Sequence, residues 1–288
     1  MNIRIVADST CDLSDELIQK YQITILPLYV TLGETTYRDR VEISAEDIFR
    51  YVGSKNELPK TAAVSVAAYA ECFEKLRKEC DAVICIGISS DFSSCVQNAK
   101  IAASDFDEIY VVDSRNLSTG FGHVVLQAAE RAAQGMQPAQ IISELEQDII
   151  PCVDASFIVD CLDYLHKGGR CSSVAALGAN LLKLRPCIEV RDGKMVLTKK
   201  YRGKLIQCIQ QYVTDRLEDV DNADTERIFV THSPTDSEVI QMAKDVVAKF
   251  NKFDNIIETD AGSTISSHCG PNTLGVLFIR KKQSKVRF

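Results

Sequence analysis

Long apolar segments are missing from this sequence. No run of about 18 uninterrupted apolar residues occurs, which is the length that a membrane-spanning helix needs. The first residues, MNIRIVADST, also lack the charged-then-apolar layout of a secretory signal. We therefore expect a cytoplasmic protein. Its 288 residues, with 45% hydrophobic content, are enough for one large domain or two modest ones.

Cysteines at a CxxC spacing are also missing, although the chain has 11 cysteines. The odd count and the length of the chain argue against a disulfide framework. Cys85 and Cys161 lie in apolar runs, where a free cysteine packs as a small hydrophobic residue. We expect reduced cysteines, no metal site and no cofactor.

Three motifs that mark common catalytic or nucleotide sites are absent: GxSxG, GxxxxGK[ST] and GxGxxG. Nucleic acid is an unfavourable partner, because the formal net charge is -7 and aromatic residues hardly interleave the basic ones. The charge is uneven, with basic residues concentrated between Lys167 and Lys204. This stretch fits an anionic partner or a docking surface, and equally a solvated hairpin and helix ends.

Short β-rich runs alternate with helical patterns in the first half of the chain. The strand candidates are IRIVADS, ITILPLYVTL, AVICIGIS and EIYVVDS. The alternation predicts an α/β fold of two lobes. We assign residues 1–160 to a lobe with a mainly parallel sheet flanked by helices, and residues 161–288 to an α/β lobe with a mixed sheet. The second lobe contains an amphipathic stretch, VAALGANLL, and a hairpin with Asp192-Gly193 at its turn.

Polar dipeptides stand at the ends of three strand candidates in the first lobe. In open α/β sheets, ligands bind outside the carboxyl ends of the strands, so these groups should converge on one crevice. They are Asp8-Ser9, Ser89-Ser90 and Asp113-Ser114.

A few hydroxyl and histidine side chains are candidates for a site. Ser93, in ISSDFSSC, can cap the following helix and present its hydroxyl where a helix N-terminus favours anions. Thr61 stands at the start of a helical run, and a plain helix cap is sufficient to explain its hydroxyl, as it is for Ser93. His268 belongs to a loop before the final strand, where sites are common. His232 also follows a strand, whereas His123 and His166 are typical of structural or exposed histidines. Ser93 and His268 also raise a hydrolase hypothesis.

Several segments in their order and spacing resemble the DegV family of two-lobed bacterial lipid-binding proteins. The resemblance covers nearly the whole chain. The family includes the fatty-acid-binding subunits of fatty acid kinase. It rests on DSTCDL, the segment around Thr61, ISSDFSSC, VVDSRNLSTGFG, LDYLHKGGR, LLKLRPCI, YRGK and SSHCGPNTLG.

The resemblance implies a lipid carrier without catalytic activity of its own. An acyl chain would lie in a tunnel between the lobes, and Thr61, Ser93 and His268, the last if protonated, would hold its carboxylate. Arg170 and Arg202 would face the catalytic subunit of a fatty acid kinase, which phosphorylates the bound long-chain fatty acid to an acyl phosphate. Peripheral membrane contact would accompany lipid exchange.

The chain departs from the family pattern beside its polar groups. Ser94 stands where the family usually has a glycine, and Cys95 and Cys269 replace hydroxyl residues. Two alternatives therefore stay open: a Ser/His acyl hydrolase or transferase, and a lipid-binding regulator that needs no kinase.

Overall fold

The computed structural model describes residues 1–171, 184–218 and 220–282, so the predicted amphipathic stretch VAALGANLL lies outside the described residues. The strands are β1 (Ile3–Asp8), β2 (Thr24–Leu26), β3 (Tyr29–Leu32), β4 (Thr35–Arg38), β5 (Lys60–Ala62), β6 (Ala82–Gly87), β7 (Ile109–Asp113), β8 (Val153–Ile158), β9 (Leu184–Arg191), β10 (Lys194–Arg202), β11 (Arg227–His232), β12 (Asn255–Asp260) and β13 (Leu274–Ile279). The α-helices are α1 (Asp15–Lys20), α2 (Ala45–Lys55), α3 (Val66–Leu76), α4 (Cys95–Ala103), α5 (Ser118–Ala133), α6 (Pro138–Glu144), α7 (Leu162–Gly168), α8 (Leu205–Leu217), α9 (Ser237–Phe250) and α10 (Ser263–Cys269).

The first lobe is built on a four-stranded parallel sheet in the order β2-β1-β6-β7. Every residue of β6, AVICIG, is buried. A continuous apolar run of this kind is typical of a central parallel strand covered by helices on both faces. The predicted α/β fold with a mainly parallel N-terminal sheet is confirmed.

The run ITILPLYVTL forms two strands rather than one. Pro27 has no N–H to donate to a ladder, and it separates β2 from β3. Strand β2 extends the parallel sheet, whereas β3 is the centre of a separate antiparallel sheet in the order β4-β3-β5.

Thr61 lies in β5, where it pairs with Val30 of β3. Our prediction that Thr61 opens a helical run is therefore wrong. The helix α3 begins at Val66, and the hydroxyl of Ser65 caps it by accepting from the Ala68 N–H at 3.2 Å.

The second lobe is built on a six-stranded mixed sheet in the order β10-β9-β8-β13-β11-β12. Among the strands described, only the β11–β12 pair of this sheet is parallel, and the other pairs are antiparallel. The predicted mixed sheet is confirmed. Strand β8 lies between β13 and β9 in this sheet, so sheet membership changes before Val153, whereas our sequence division keeps residues up to 160 in the first lobe.

The hairpin β9–β10 has the predicted turn. Asp192 and Gly193 have φ angles of 49° and 80°. Two consecutive positive φ values fit a two-residue hairpin loop that follows the twist of the strands. The turn contacts the first lobe, because the Ser89 hydroxyl donates to the Gly193 carbonyl at 2.8 Å and Arg115 donates to the Asp192 carbonyl.

Helix α5 lies between the two large sheets. It contacts β1 and β6 on one side and β8, β11 and β13 on the other. His123 on this helix is buried, its Nε2 is 3.0 Å from the Leu277 carbonyl, and its ring meets Phe229 edge-on. Burial lowers the pKa of His123 to about 4, so this histidine is a neutral packing residue. One apolar core thereby continues through both lobes.

None of the helices in the described part of the chain is long and apolar enough to cross a membrane.

Candidate functional site

A cavity of about 330 Å³ lies between the lobes. Its volume falls in the range of about 300–1,000 Å³ that small-molecule sites occupy. Four of the five predicted site residues line it, namely Thr61, Ser93, Arg170 and His268. The remaining walls are mostly apolar and come from Leu28, Ala62, Ala63, Ile88, Phe92, Ser94, Leu117, Met195, Thr264, Ile265 and Cys269.

Thr61 and His268 form a hydrogen-bonded pair at this cavity, although they are 207 residues apart in sequence. The Thr61 hydroxyl oxygen lies 2.8 Å from His268 Nε2. With the proton on Nε2, the imidazole donates to Thr61 and leaves the threonine hydroxyl proton for a ligand. His268 Nδ1 is buried without a hydrogen-bond partner, and Gly168 packs so closely that a Cβ there would lie 2.6 Å from this nitrogen.

His268 is neutral at pH 7 in this structure. Burial, together with the positive charge of Arg170, lowers the pKa of His268 to about 4. The protonated form of His268 that we considered from the sequence is thus disfavoured. The site offers neutral hydrogen-bond donors and the Arg170 guanidinium.

His268 lies on helix α10 and not in a loop, which corrects our prediction for this segment. Two buried carboxylates of the first lobe accept from the N-terminus of this helix. Asp12 accepts from the Gly262 N–H at 2.8 Å, and Asp39 accepts from the Ser263 N–H at 2.8 Å. Both carboxylates satisfy free N–H groups and complement the positive end of the helix dipole. Residues of the first lobe therefore fix the helix that carries His268.

Ser93 lies directly before helix α4. Its hydroxyl accepts from the Cys95 N–H at 3.3 Å and donates to the Cys95 sulfur at 3.2 Å. Ser94 occupies the N-cap position but makes no side-chain cap bond, so Ser93 serves the first turn instead. Burial raises the pKa of the Cys95 thiol to about 12, which keeps the sulfur neutral and a weak acceptor. The Ser93 hydroxyl can turn from this sulfur to a stronger acceptor at small cost.

The polar strand ends of the first lobe do converge, because β1, β6 and β7 are neighbours. They bond mainly to one another. Asp8 accepts from the Ile88 N–H at 2.8 Å, and the Ser90 hydroxyl donates to Asp113 at 2.6 Å. Burial raises the pKa of Asp8 to about 6. These groups support the loops that surround the cavity.

Thr264 is a cavity residue that sequence reasoning missed. Its hydroxyl oxygen is buried and has no hydrogen-bond partner among the described residues. It precedes His268 by four residues on α10, a spacing that brings both side chains to one face of a helix. If the segment had been predicted as a helix, the four-residue spacing would have indicated that Thr264 lies beside His268.

The two predicted docking arginines lie in different surroundings. Arg170 is exposed, follows helix α7 and donates to the Gly168 carbonyl at 2.7 Å, and it lines the cavity. Arg202 is exposed at the end of β10 and is not among the cavity residues. His166 is exposed, whereas His232 is buried outside this cavity.

A family model described as "Uncharacterised protein, DegV family" matches residues 2–281. The chain belongs to the DegV family. Protein DegV of Bacillus subtilis is 32% identical over 286 residues, which cover 98% of this chain and 100% of that protein.

Three solved structures have the same fold, and two of them are of DegV proteins. A structure described as the fatty acid binding of a DegV family protein from Thermus thermophilus has a TM-score of 0.87 and 28% identity, and covers 97% of this chain and 100% of its own. The crystal structure of Bacillus subtilis DegV, described as a fatty acid binding protein, has a TM-score of 0.86 and 32% identity over 98% of this chain and 100% of its own. A stearic acid-binding protein from Eubacterium ventriosum has a TM-score of 0.86 and 29% identity, and covers 97% of this chain and 98% of its own.

Proposed function

We propose that this chain binds a long-chain fatty acid in the cavity between its lobes. Two DegV structures that cover nearly all of this chain are described as fatty acid binding, and a third similar structure is described as a stearic acid-binding protein. Apolar walls such as Leu28, Ile88 and Phe92 suit an acyl chain. Burial of each methylene contributes about 0.8 kcal/mol, so the tail supplies most of the affinity.

The observation that carries the proposal is the Thr61–His268 hydrogen bond at the cavity that Ser93 also lines. A buried carboxylate without donors would cost several kcal/mol. The hydroxyls of Thr61 and Ser93 donate to the carboxylate, and His268 orients Thr61. Thr264 adds a third hydroxyl, and Arg170 adds a positive charge. A fatty alcohol has the same tail but no negative charge, and should bind more weakly.

The chain would then act as a carrier for a separate fatty acid kinase. Its own contribution is to shield the tail and to leave the carboxylate at the cavity for phosphorylation to an acyl phosphate. Arg202 is the stronger candidate for contact with the kinase, because it is exposed and lies apart from the cavity residues. Arg170, which lines the cavity, belongs in this proposal to the head-group site as well as to the docking surface.

The hydrolase alternative has less support. A Ser/His pair needs the histidine beside the serine, and an acid that orients the histidine. Ser93 bonds to Cys95, and His268 bonds to Thr61. The second nitrogen of His268 faces Gly168 and has no carboxylate partner among the residues described. We expect no stable labelling of Ser93 by a serine-reactive fluorophosphonate.

Binding of palmitic acid to delipidated protein, measured by titration calorimetry, tests the head-group assignment. Thr61→Val keeps the shape of the side chain but removes the hydroxyl, and should weaken binding by about 10- to 100-fold, since a lost charge-assisted hydrogen bond is worth about 1.5–3 kcal/mol. Thr36→Val, an exposed change on β4, is the matched control. Equal affinities for palmitic acid and hexadecanol, or a normal affinity in Thr61→Val, would contradict the assignment.

Reconstitution with a candidate kinase and ATP tests the carrier role. Arg202→Ala should bind palmitic acid as the parent does and form acyl phosphate at least tenfold more slowly. Arg50→Ala, an exposed change in the first lobe, should leave both properties unchanged. A normal rate of acyl phosphate formation with Arg202→Ala would remove this arginine from the docking surface.

A further inference from the structure

Helices α7 and α10 approach each other closely at two glycines. A Cβ at Gly168, the last residue of α7, would lie 2.6 Å from Nδ1 of His268 on α10. A Cβ at Gly270, which directly follows α10, would lie 2.8 Å from Cδ2 of Tyr164 on α7. Non-bonded carbon atoms attract best at about 3.5–4.0 Å, so neither position has room for a side chain. The His268 imidazole therefore contacts α7 at one nitrogen and Thr61 at the other.

The Thr61–His268 hydrogen bond has two possible directions, and only one of them suits an anion. If Nε2 carries the proton, it donates to the Thr61 oxygen, and the threonine hydroxyl proton is available to a carboxylate. If Nδ1 carries the proton, Nε2 accepts from Thr61, and the threonine offers a carboxylate only lone pairs. The position of one proton on His268 thus determines whether Thr61 attracts or repels the head group.

The surroundings of Nδ1 favour the first direction. This nitrogen is buried and has no hydrogen-bond partner in the described part of the chain. A buried N–H without an acceptor is less well tolerated than an unsatisfied acceptor. Burial, and then the positive charge of Arg170, lower the pKa of His268 to about 4, and Arg170 donates to the Gly168 carbonyl at 2.7 Å. Beside Gly168, Nδ1 therefore keeps a bare lone pair, and Nε2 holds the only ring proton.

We infer that Gly168 is a positioning residue of the head-group site: by packing against Nδ1 of His268, it keeps the imidazole proton on Nε2 and the ring at hydrogen-bonding distance from Thr61. This inference rests on the proposed fatty acid binding. Gly168 is not among the described residues that line the cavity, so it acts through His268. Its carbonyl also holds the Arg170 guanidinium, so the end of α7 sets the positions of two head-group residues.

A methyl group at position 168 should disturb this arrangement. To restore an ordinary contact, the imidazole would have to move by roughly 0.5–1 Å. Binding sites tolerate displacements of only about 0.5 Å, and a weakened hydrogen bond to a charged group costs about tenfold or more in affinity. Gly168→Ala should therefore bind palmitic acid at least about tenfold more weakly than the parent. Gly53→Ala is the matched control and should bind normally, because Gly53 also lies in a helix, α2, but a Cβ there meets nothing within 4 Å.

A double-mutant cycle separates positioning from a general structural effect. His268→Ala removes the ring that a Cβ at position 168 would strike, and the apolar tail of the ligand keeps binding measurable. In this background Gly168→Ala should change the affinity for palmitic acid by less than about twofold. Equal fold losses in both backgrounds, or an unchanged affinity in Gly168→Ala alone, would overturn the inference.

Nitrogen NMR of protein labelled with 15N-histidine locates the proton and needs no change at residue 168. A protonated and a bare ring nitrogen differ clearly in chemical shift, and His268→Ala identifies the signals of His268 among the four histidines. In the parent at pH 7 the proton should be on Nε2, and a proton on Nδ1 would refute the positioning role even if Gly168→Ala failed to fold. A parent that binds no palmitic acid would instead show that the proposed function is wrong.

Discussion

Replacing Asp12 by asparagine should change how the stability of the protein depends on pH. The Asp12 carboxylate is fully buried, accepts from the Ser118 hydroxyl at 2.6 Å and from the Gly262 N–H at 2.8 Å, and lies 3.6 Å from Arg40. Burial raises the pKa of Asp12 from 3.8 to about 7, although Arg40 and the two hydrogen bonds oppose this shift. Desolvation of the carboxylate thus affects the pKa of Asp12 more than Arg40 and the two hydrogen bonds do.

The sign and size of the effect follow from the difference in pKa. Between about pH 4 and pH 7 the folded Asp12 retains a proton that the unfolded chain has released, so stability falls as the pH rises through this window. Each pKa unit corresponds to 1.36 kcal/mol, so on the order of 3 kcal/mol is lost between about pH 5 and pH 8. Asparagine cannot ionise, yet its oxygen can accept from Gly262 and its amide can donate to Ser118.

Urea unfolding at pH 5 and pH 8, followed by far-UV circular dichroism, measures the effect. Asp12→Asn should gain stability relative to the parent as the pH rises. Asp8, His123 and His268 also titrate with shifted pKa values, but they are common to both proteins and cancel in the comparison. Asp105→Asn, at an exposed position, controls for the loss of one charge. If the stability difference between Asp12→Asn and the parent is the same at both pH values, the desolvation argument is wrong.

Two further changes test packing around the site and in the second lobe. Gly193→Ala should lower the melting temperature more than Gly135→Ala. Both glycines have positive φ, but a Cβ at Gly193 would also lie 2.9 Å from the Ser89 hydroxyl oxygen, whereas a Cβ at Gly135 would meet nothing. Equal decreases in melting temperature would show that this contact has no effect. Tyr212→Phe should lower the free energy of unfolding by about 1–3 kcal/mol, because it removes the hydroxyl that accepts from the buried Val276 N–H. Urea titrations measure this change. An unchanged free energy of unfolding would show that the hydrogen bond contributes nothing to stability.

The parts of the fold that local sequence signals determine could be predicted. Asp192-Gly193 has the turn chemistry that a two-residue hairpin loop requires, and Pro138 stands at the first turn of α6. The alternation of apolar strands with helical patterns also predicted the parallel sheet. In each case the information lies within a few residues of the element that it specifies.

Helix α10 and strand β5 were missed because tertiary contacts specify them. The helix has 7 residues, rich in serine and threonine, which favour caps and turns over helix interiors. Asp12 and Asp39, more than 200 residues earlier in the chain, hold its N-terminus. Thr61 is in a strand because β3 offers a partner. The pairing of Thr61 with His268 therefore could be inferred from family resemblance but not from local pattern.

Fatty acid extracted from the purified protein tests the central claim most directly. Protein expressed in bacteria and purified without detergent should yield close to one equivalent of long-chain fatty acid per chain on quantitative mass spectrometry. Delipidated protein should recover the same occupancy with stearic acid, and Thr61→Val should retain less of it after gel filtration. Protein that neither carries fatty acid after purification nor takes up stearic acid after delipidation would contradict the account.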